Sequence, residues 1–194
     1  MMFAGRGAQV QRAERMLAAV ANSGAAAPAP MVITGPRGVG KTVLLQVIRD
    51  EAVRRGFETA VILFDTREWQ SSGAGVRGRG RVAVFIDEVH EAPVDDLRTV
   101  ATAVQDLIQT PRTPLVVFLA GLPETPEVLI SANSFAERFD YLPVPRLTVD
   151  AAHRVLLDPA LDLGVRWAPP ALQEVVTVAA GNPFMLQSSG MSRG

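Results

Sequence analysis

Eight residues, Gly35-Pro36-Arg37-Gly38-Val39-Gly40-Lys41-Thr42, constrain this chain more than any other feature of it. They fit G-x-x-x-x-G-K-[ST], a glycine-rich loop whose backbone N–H groups converge on phosphate oxygens at the mouth of a helix. Such a loop needs a strand leading in and a helix leading out, and the flanks supply both. Met31 to Thr34 is a short apolar run, and from Lys41 to about Arg55 apolar residues recur at Val43, Leu44, Val47 and Ile48 with helical spacing. Lys41 is also the only lysine among nineteen basic residues. A chain that uses arginine everywhere else keeps one compact ammonium at the place where a point charge, rather than a planar fork, must meet a phosphate. The loop predicts binding of a nucleoside triphosphate.

At 194 residues the chain can bury one sizeable core, or one core with a small appended subdomain. Its formal net charge of −1 supplies no overall basic field for nucleic acid or an anionic membrane. The absence of cysteine excludes disulfides, thiolate chemistry and cysteine-ligated zinc, and fits a reducing interior, so the expected location is cytoplasmic. No apolar run approaches the roughly 18 residues that would cross a bilayer. The alanine-rich stretch from Met16 to Ala27 loosely imitates a signal peptide, but its apolar core is short and Glu14 interrupts the region before it. It reads instead as the end of an amphipathic helix with Val10, Ala13, Leu17 and Val20 on one face, stopping near Asn22-Ser23-Gly24.

Short β-rich runs alternate with helical patterns, which predicts an α/β fold: a three-layer domain around a mostly parallel, five-stranded sheet. After Met31–Thr34, the strands are Thr59 to Phe64, Arg81 to Ile86, the continuous apolar run Leu115 to Ala120, and an edge strand around Phe139 to Val144, where Pro143 and Pro145 would interrupt a ladder interior. Leu97, Val100, Ala101, Val104, Leu107 and Ile108 set a helix between Val94 and Gln109, with Pro93 at its first position. Asp65 to Arg81 lacks apolar periodicity and is expected to be a loop or a very short helix. From Thr148 onward the pattern is helical only, with helices near Asp150 to Leu157, Pro170 to Ala180 and after Pro183. Residues 1–146 are therefore assigned to a nucleotide-binding α/β domain and 147–194 to a small helical lid subdomain, read as truncated.

The chemistry divides between two segments. In the loop, Gly35, Gly38 and Gly40 permit close approach of the backbone, and Gly35, Pro36, Arg37, Gly38, Val39, Gly40, Lys41, Thr42 and Val43 are assigned to the nucleotide. Lys41 neutralises charge on the transferable phosphate and Thr42 offers a hydroxyl to Mg²⁺. In the second segment, Val82-Ala83-Val84-Phe85-Ile86-Asp87-Glu88, a buried strand ends in two acids. Asp87 is assigned to the magnesium shell, and Glu88 to polarising a water aimed at the γ-phosphate.

With both segments in place the chain resembles the AAA+ and STAND group of P-loop ATPases, and most closely the bacterial and archaeal branch related to origin-recognition ATPases. The resemblance spans Phe3 to about Gln187. Phe3-Ala4-Gly5-Arg6 looks like the F-x-G-R element that opens such domains, which implies that Phe3 and Arg6 line the adenine site. Glu137-Arg138-Phe139 resembles the arginine-bearing segment before the last strand and implies a catalytic finger or sensor role for Arg138, possible across a subunit boundary. The competing assignment is a surface arginine paired with Glu137 or Asp140. Gly181-Asn182-Pro183-Phe184 resembles the G-x-P motif of STAND lids, with Pro183 packed near the base. Ala120-Gly121-Leu122-Pro123 falls where such families carry a polar sensor and lacks one, leaving Glu124 or Thr125 as substitutes. The winged-helix DNA reader of origin-recognition proteins has no counterpart in the sequence.

The resemblance implies ATP and Mg²⁺ as ligands and an ATP hydrolase or ATP/ADP switch as the activity, in which closure of the lid reports γ-phosphate state to a protein partner or a second copy. Guanine recognition through Asn-Lys-x-Asp is excluded, because there is no second lysine. Two alternatives stand beside it: a nucleotide-stabilised interaction module with negligible turnover, and a DNA-associated origin-recognition-like ATPase, although direct DNA binding by this chain is not expected. His90 is read as exposed or satisfied by its neighbours, Arg77 to Arg81 as a solvated basic loop, and Trp69 and Trp167 as packing residues.

Overall fold

The computed structural model describes residues 5–65, 68–72, 80–109 and 114–191, with side-chain environments given for all of these but 63–65, 68–72, 107 and 189–191. Helix α1 (Gly7–Ser23) buries Ala13, Leu17 and Val20 and stops at Gly24, whose φ of 66° is the left-handed turn that lets its N–H return to the Val20 carbonyl at 3.1 Å. Strand β1 (Met31–Thr34) feeds the glycine loop, and helix α2 (Lys41–Arg54) leaves it. The buried face of α2 is Leu44, Leu45, Ile48 and Ala52; Val43 is 51% exposed, so the face is turned by about one residue from the one that Val43 and Val47 would have set. Strand β2 (Phe57–Asp65) follows, then β3 (Glu68–Ser72), β4 (Arg81–Asp87), a 3₁₀ turn (Val89–Glu91), α3 (Val94–Gln109), β5 (Leu115–Gly121), α4 (Thr125–Ala132), a second 3₁₀ turn (Ser134–Arg138) and β6 (Asp140–Pro143). Helices α5 (Val149–Asp162), α6 (Pro169–Ala179) and α7 (Pro183–Met191) complete the described chain.

The five expected strands are parallel neighbours, and among the described residues a sixth joins them, in the order β3-β2-β4-β5-β1-β6. Strand β3 corrects the expectation of a loop or short helix over Asp65 to Arg81. It pairs antiparallel with β2, Phe64 opposite Trp69 and Val61 opposite Ser72. A hairpin partner on an open edge needs no crossover helix and no apolar periodicity, so no periodic signal marks it. As expected, β6 lies on an edge, paired among the described residues with β1 alone.

Alternation along the central strands builds two cores. Met31, Ile33, Ala83, Phe85, Val116, Phe118 and Ala120 face α1 and α2, and Phe85 stacks on Phe118 at 5.2 Å between ring centroids. Val32, Val82, Ile86, Val117 and Leu119 face the other way, against Leu97 and Val104 of α3 and Leu129 of α4. Helix α4 occupies a stretch where the sequence reading placed none; Pro126 in its first turn and buried Leu129 and Ala132 mark it. A third cluster lies wholly within 147–186, where Leu147, Ala151, Ala152, Leu156, Val175, Val176, Ala179 and Leu186 pack α5, α6 and α7 together. Trp167 packs against it and donates Nε1–H to the Leu156 carbonyl at 3.2 Å, as a packing residue should.

This topology locates a crevice. The chain leaves β1 toward the α2 face, whereas it leaves β4 and β5 toward the α3 and α4 face. The reversal falls between β1 and β5, and ligands of open α/β sheets sit at such a switch point, beyond the carboxyl ends of the strands.

Candidate functional site

The glycine loop spans that switch point. Gly35 N–H donates to the Gly121 carbonyl at 3.3 Å, fastening the end of β1 to the end of β5. A Cβ on Gly35 would stand 2.5 Å from the Val144 carbonyl oxygen, so no other residue fits there. Gly38 and Gly40 have φ of 78° and 91°, the left-handed region that L side chains rarely adopt, and space is open around Gly40 where a Cβ would project. These turns expose successive backbone N–H groups ahead of α2. Arg6, 5% exposed, crosses from the start of α1 to donate Nη2 to the Val39 carbonyl at 3.1 Å, and burial holds its guanidinium below the ordinary arginine range. Arg6 thus meets the loop backbone; Phe3 lies outside the described residues.

Lys41 begins α2, 7% exposed, and donates Nζ to the carbonyls of Gly35 at 2.9 Å and Pro36 at 3.1 Å. Burial lowers its pKa, and the carboxylates of Glu88 and then Asp87 oppose that fall. Arg37 pushes in the same direction as burial, and Glu124 opposes it. One buried ammonium therefore lies in the field of three acids that arrive from the ends of β4 and β5. Asp87 ends β4, 4% exposed, and accepts the Glu88 backbone N–H at 2.9 Å. Glu88 has φ 53° and ψ 38°, a left-handed conformation unusual for a residue with a side chain, and its carboxylate is partly exposed.

The final helices reach the same loop. Phe184 N–H donates to the Gly38 carbonyl at 3.3 Å, and Asn182 Nδ2 donates to the Arg37 carbonyl at 3.3 Å. Gly181, with φ 74°, lies so close to residue 147 that a Cβ would stand 2.3 Å from the Leu147 carbonyl. Its own carbonyl accepts Leu147 N–H at 2.8 Å. Pro183 stands at the first position of α7, next to this contact.

The structure therefore gathers Gly35, Pro36, Arg37, Gly38, Val39, Gly40, Lys41, Arg6, Asp87, Glu88 and the segment around Pro183 at one crevice. Thr42 and Val43 sit exposed in the first turn of α2. Arg138 is not among them. It ends the 3₁₀ turn before β6, and the parallel register of β6 with β1 puts it at the amino ends of the strands, opposite the loop. Its guanidinium lies 5.8 Å over the Phe135 ring, and Asp140, one of the two carboxylates considered for it, is held by Arg12. His90 meets its expectation only in part. Its side chain is 7% exposed, its Nε2 lies among charged neighbours, and its Nδ1 is buried without a partner. Sequence pattern could not flag it, because a lone histidine after two acids carries no periodicity.

The residues present fit a bound nucleoside triphosphate with Mg²⁺. Turned-out amides, one buried ammonium and a buried carboxylate make an anion cradle beside a hard oxygen donor. Among the described residues no group of three or more His, Cys, Asp or Glu forms a metal cluster. The Thr42 hydroxyl and the Asp87 carboxylate are the oxygen donors that could hold a magnesium ion beside the loop.

Solved structures share this architecture. The RuvB Holliday junction branch migration motor of Thermotoga maritima superposes with a TM-score of 0.63 at 19% identity, covering 94% of this chain and 60% of its own. The ORC2 protein of Aeropyrum pernix in its ADP form gives 0.66 at 15% identity, covering 97% and 62%. The same protein in ADPNP-ADP complexes gives 0.64 at 14%, covering 95% and 60%. The present chain thus spans about three fifths of the length of these proteins, and identities this low establish a common fold. No curated protein sequence matches the chain. Among the described residues no helix is long and apolar enough to cross a membrane. A family model described as an AAA domain matches residues 27–149, well over half of the chain, and covers the loop, both acids and every parallel strand. The glycine loop at the switch point, the acids at the end of β4 and this match agree, and the chain belongs to the AAA-domain family of P-loop ATPases.

Proposed function

We propose that this protein binds ATP with Mg²⁺ at the crevice between β1 and β5 and hydrolyses it slowly, using the ATP/ADP difference to reposition the helices of residues 147–194 in the manner of a STAND-type switch. The observation that carries the reading is the convergence of the Lys41 ammonium with Glu88 and Asp87 beside a glycine loop open to solvent at Gly40. In this assignment the amides of Gly38, Gly40 and Lys41 bind phosphate oxygens, and Lys41 neutralises the γ-phosphate. Thr42 and Asp87 would hold the magnesium, which when bound would supply charge neutralisation to the phosphates. Glu88 orients a water and accepts its proton as the water oxygen attacks the γ-phosphorus; the bond to the β–γ bridging oxygen breaks, leaving ADP and phosphate. Arg6 braces the loop apex, and Phe3 and Pro183 are assigned to the adenine side.

Slow turnover is favoured by a specific feature. The end of β5 offers no polar sensor to the γ-phosphate: Thr125 Oγ1 is fully buried and unpartnered, and Glu124 adds a negative charge to the phosphate end. The second reading, an interaction module that holds nucleotide with negligible turnover, rests on the same feature. Arg138, at the far end of the sheet, is assigned to a finger role only across the boundary with a second copy. Direct DNA binding is not proposed, since a net charge of −1 gives no basic field.

The test is ATP and GTP binding and hydrolysis, with and without Mg²⁺, in wild type, Lys41→Ala and Glu88→Gln. The expected pattern is ATP preference, loss of binding in Lys41→Ala, and binding without turnover in Glu88→Gln. Tight ATP binding with no wild-type turnover selects the interaction module, and undiminished binding by Lys41→Ala overturns both.

A further inference from the structure

His90 stands where nothing assigned so far uses it, between the phosphate loop and the hydrolytic acid. Its Nε2 lies 3.4 Å from Glu88 Oε2 and 3.2 Å from Glu91 Oε1. Arg37, from the glycine loop, reaches across to Glu91 Oε1 at 2.9 Å and comes within 3.4 Å of the same Nε2. The arrangement follows from the backbone. Glu88 turns left-handed at φ 53°, the chain enters the 3₁₀ turn Val89–Glu91, and the histidine two residues on is folded back against the Glu88 side chain.

Two observations favour the Nε2–H tautomer over the alternative in which Nε2 accepts from Arg37 Nη2. Two carboxylate oxygens near Nε2 call for a proton there, and the buried, unpartnered Nδ1 is better left as a bare lone pair than as an N–H with no acceptor. The Arg37 contact at Nε2 is then a packing contact, and Arg37 spends its hydrogen bond on Glu91. Glu91 is neutralised by Arg37, which leaves Glu88 as the carboxylate whose position Nε2–H can set. The exposures agree: the histidine side chain is 7% exposed and the Glu88 side chain 41%, so the imidazole is the fixed wall and the acid the movable part.

We propose that His90, clamped by the Arg37–Glu91 pair, is a positioning residue for Glu88, holding the carboxylate in line with the water it activates. This rests on the hydrolytic role proposed above for Glu88. It adds that the phosphate loop itself, through Arg37, sets the geometry of the acid. A freely rotating glutamate spends most of its time outside the productive orientation, and misplacement of a catalytic group by about 1 Å can cost on the order of 100-fold in rate.

The experiment is steady-state ATP hydrolysis with separate measurement of nucleotide affinity on wild type, His90→Ala, His90→Gln, Glu91→Gln and Glu88→Gln. His90→Ala is expected to lower kcat by about 10- to 100-fold while leaving KM and the ATP Kd within about threefold, since the interaction acts on the acid and not on bound substrate. His90→Gln, whose amide N–H reaches the former Nε2 site, is expected to restore kcat to within about fivefold of wild type. Should His90→Ala fail to fold by circular dichroism, Glu91→Gln gives the same reading from the partly exposed side of the clamp: a several-fold lower kcat with unchanged affinity. Wild-type kcat in His90→Ala, or in Glu91→Gln where that variant is the one read, overturns the proposal, as does a glutamine variant no better than alanine. If Glu88→Gln is inactive while His90→Ala is normal, only the positioning role falls. If Glu88→Gln turns over like wild type, the hydrolytic assignment fails and takes this one with it.

Discussion

Asn182 packs directly against Gly38: a Cβ on the glycine would stand 2.8 Å from Asn182 Oδ1 and 2.9 Å from Nδ2. The amide oxygen accepts Phe184 N–H at 3.0 Å, which starts α7, while the amide nitrogen donates to the Arg37 carbonyl at 3.3 Å. One side chain therefore caps a helix of the third core cluster and seats the glycine loop. Asn182→Asp keeps the capping acceptor but loses the donor, whereas Asn182→Ala loses both. Urea denaturation should find the alanine variant less stable by about 1–2 kcal/mol and the aspartate variant close to wild type. ATP titration should find affinity reduced in both. Equal stability of the two variants would show that the cap contributes nothing.

Gly181 and Gly164 separate backbone strain from steric exclusion. Both lie at positive φ, 74° and 69°, but a Cβ at 164 meets nothing within 4 Å, and at 181 it meets the Leu147 carbonyl at 2.3 Å. Gly164→Ala should cost about 1–2 kcal/mol, the penalty of a left-handed L residue. Gly181→Ala must also push residue 147 away, which breaks the 2.8 Å bond from Leu147 N–H and disturbs the segment on which Asn182 rests. It should cost at least about 2 kcal/mol more in urea denaturation and should weaken ATP binding, which Gly164→Ala leaves intact.

Lys41→Met tests the cradle from the other side. Burial lowers the lysine pKa, so the folded protein binds its proton less readily than the unfolded chain does. Between the lowered value and the ordinary 10.5 the unfolded state holds more protons, and this group's contribution makes stability rise with pH. At neutral pH the buried charge is a cost. The apolar methionine should therefore leave the nucleotide-free melting temperature equal or higher while ATP affinity falls by at least about 50-fold. A lower melting temperature together with wild-type affinity would assign Lys41 to the fold rather than to phosphate.

Much of this was legible in the sequence because it lies in local pattern. Met31–Thr34 and Leu115–Gly121 are continuous apolar runs buried on both faces, and such runs signal central parallel strands. The glycine spacing before Lys41 carries the loop, and Asp87-Glu88 after an apolar strand carries the acids. What stayed hidden depends on position in space. Strand β3 has no apolar rhythm, since it is an edge partner of β2. Helix α4 is only eight residues long, too short for apolar periodicity to stand out after Gly121-Leu122-Pro123. Val43 belongs to an apolar set yet is half exposed, because the register of α2 on the sheet is fixed by Leu44, Leu45 and Ile48. The roles of Arg37, Glu91 and His90 arise from a left-handed turn at Glu88 that no residue type announces.

Tyr141 offers a test of the packing around β6 with little background. It is the only tyrosine, as Lys41 is the only lysine, so they are the only side chains of those two types, whose ordinary pKa values lie near 10, in the chain. Burial raises the phenol from 10.0 to about 12, and its hydroxyl donates to the Ala136 carbonyl at 2.8 Å. For a group whose folded pKa is raised, the stabilisation is complete below the unfolded value and disappears as pH climbs through the folded one. The window is therefore pH 10 to about 12. Discounted for partial exposure, the loss should come to roughly 1–2 kcal/mol. Tyr141→Phe should start about 1 kcal/mol less stable at pH 8, having left the Ala136 carbonyl unpaired. Having no proton to lose, it should then hold its stability through the window while wild type falls toward it. Lys41 is common to both proteins and acts in the opposite sense, so the difference between the curves isolates the phenol. Urea denaturation at pH 8, 10 and 11 gives the comparison; parallel curves would mean that the hydroxyl is solvated and that the second 3₁₀ turn does not close over β6.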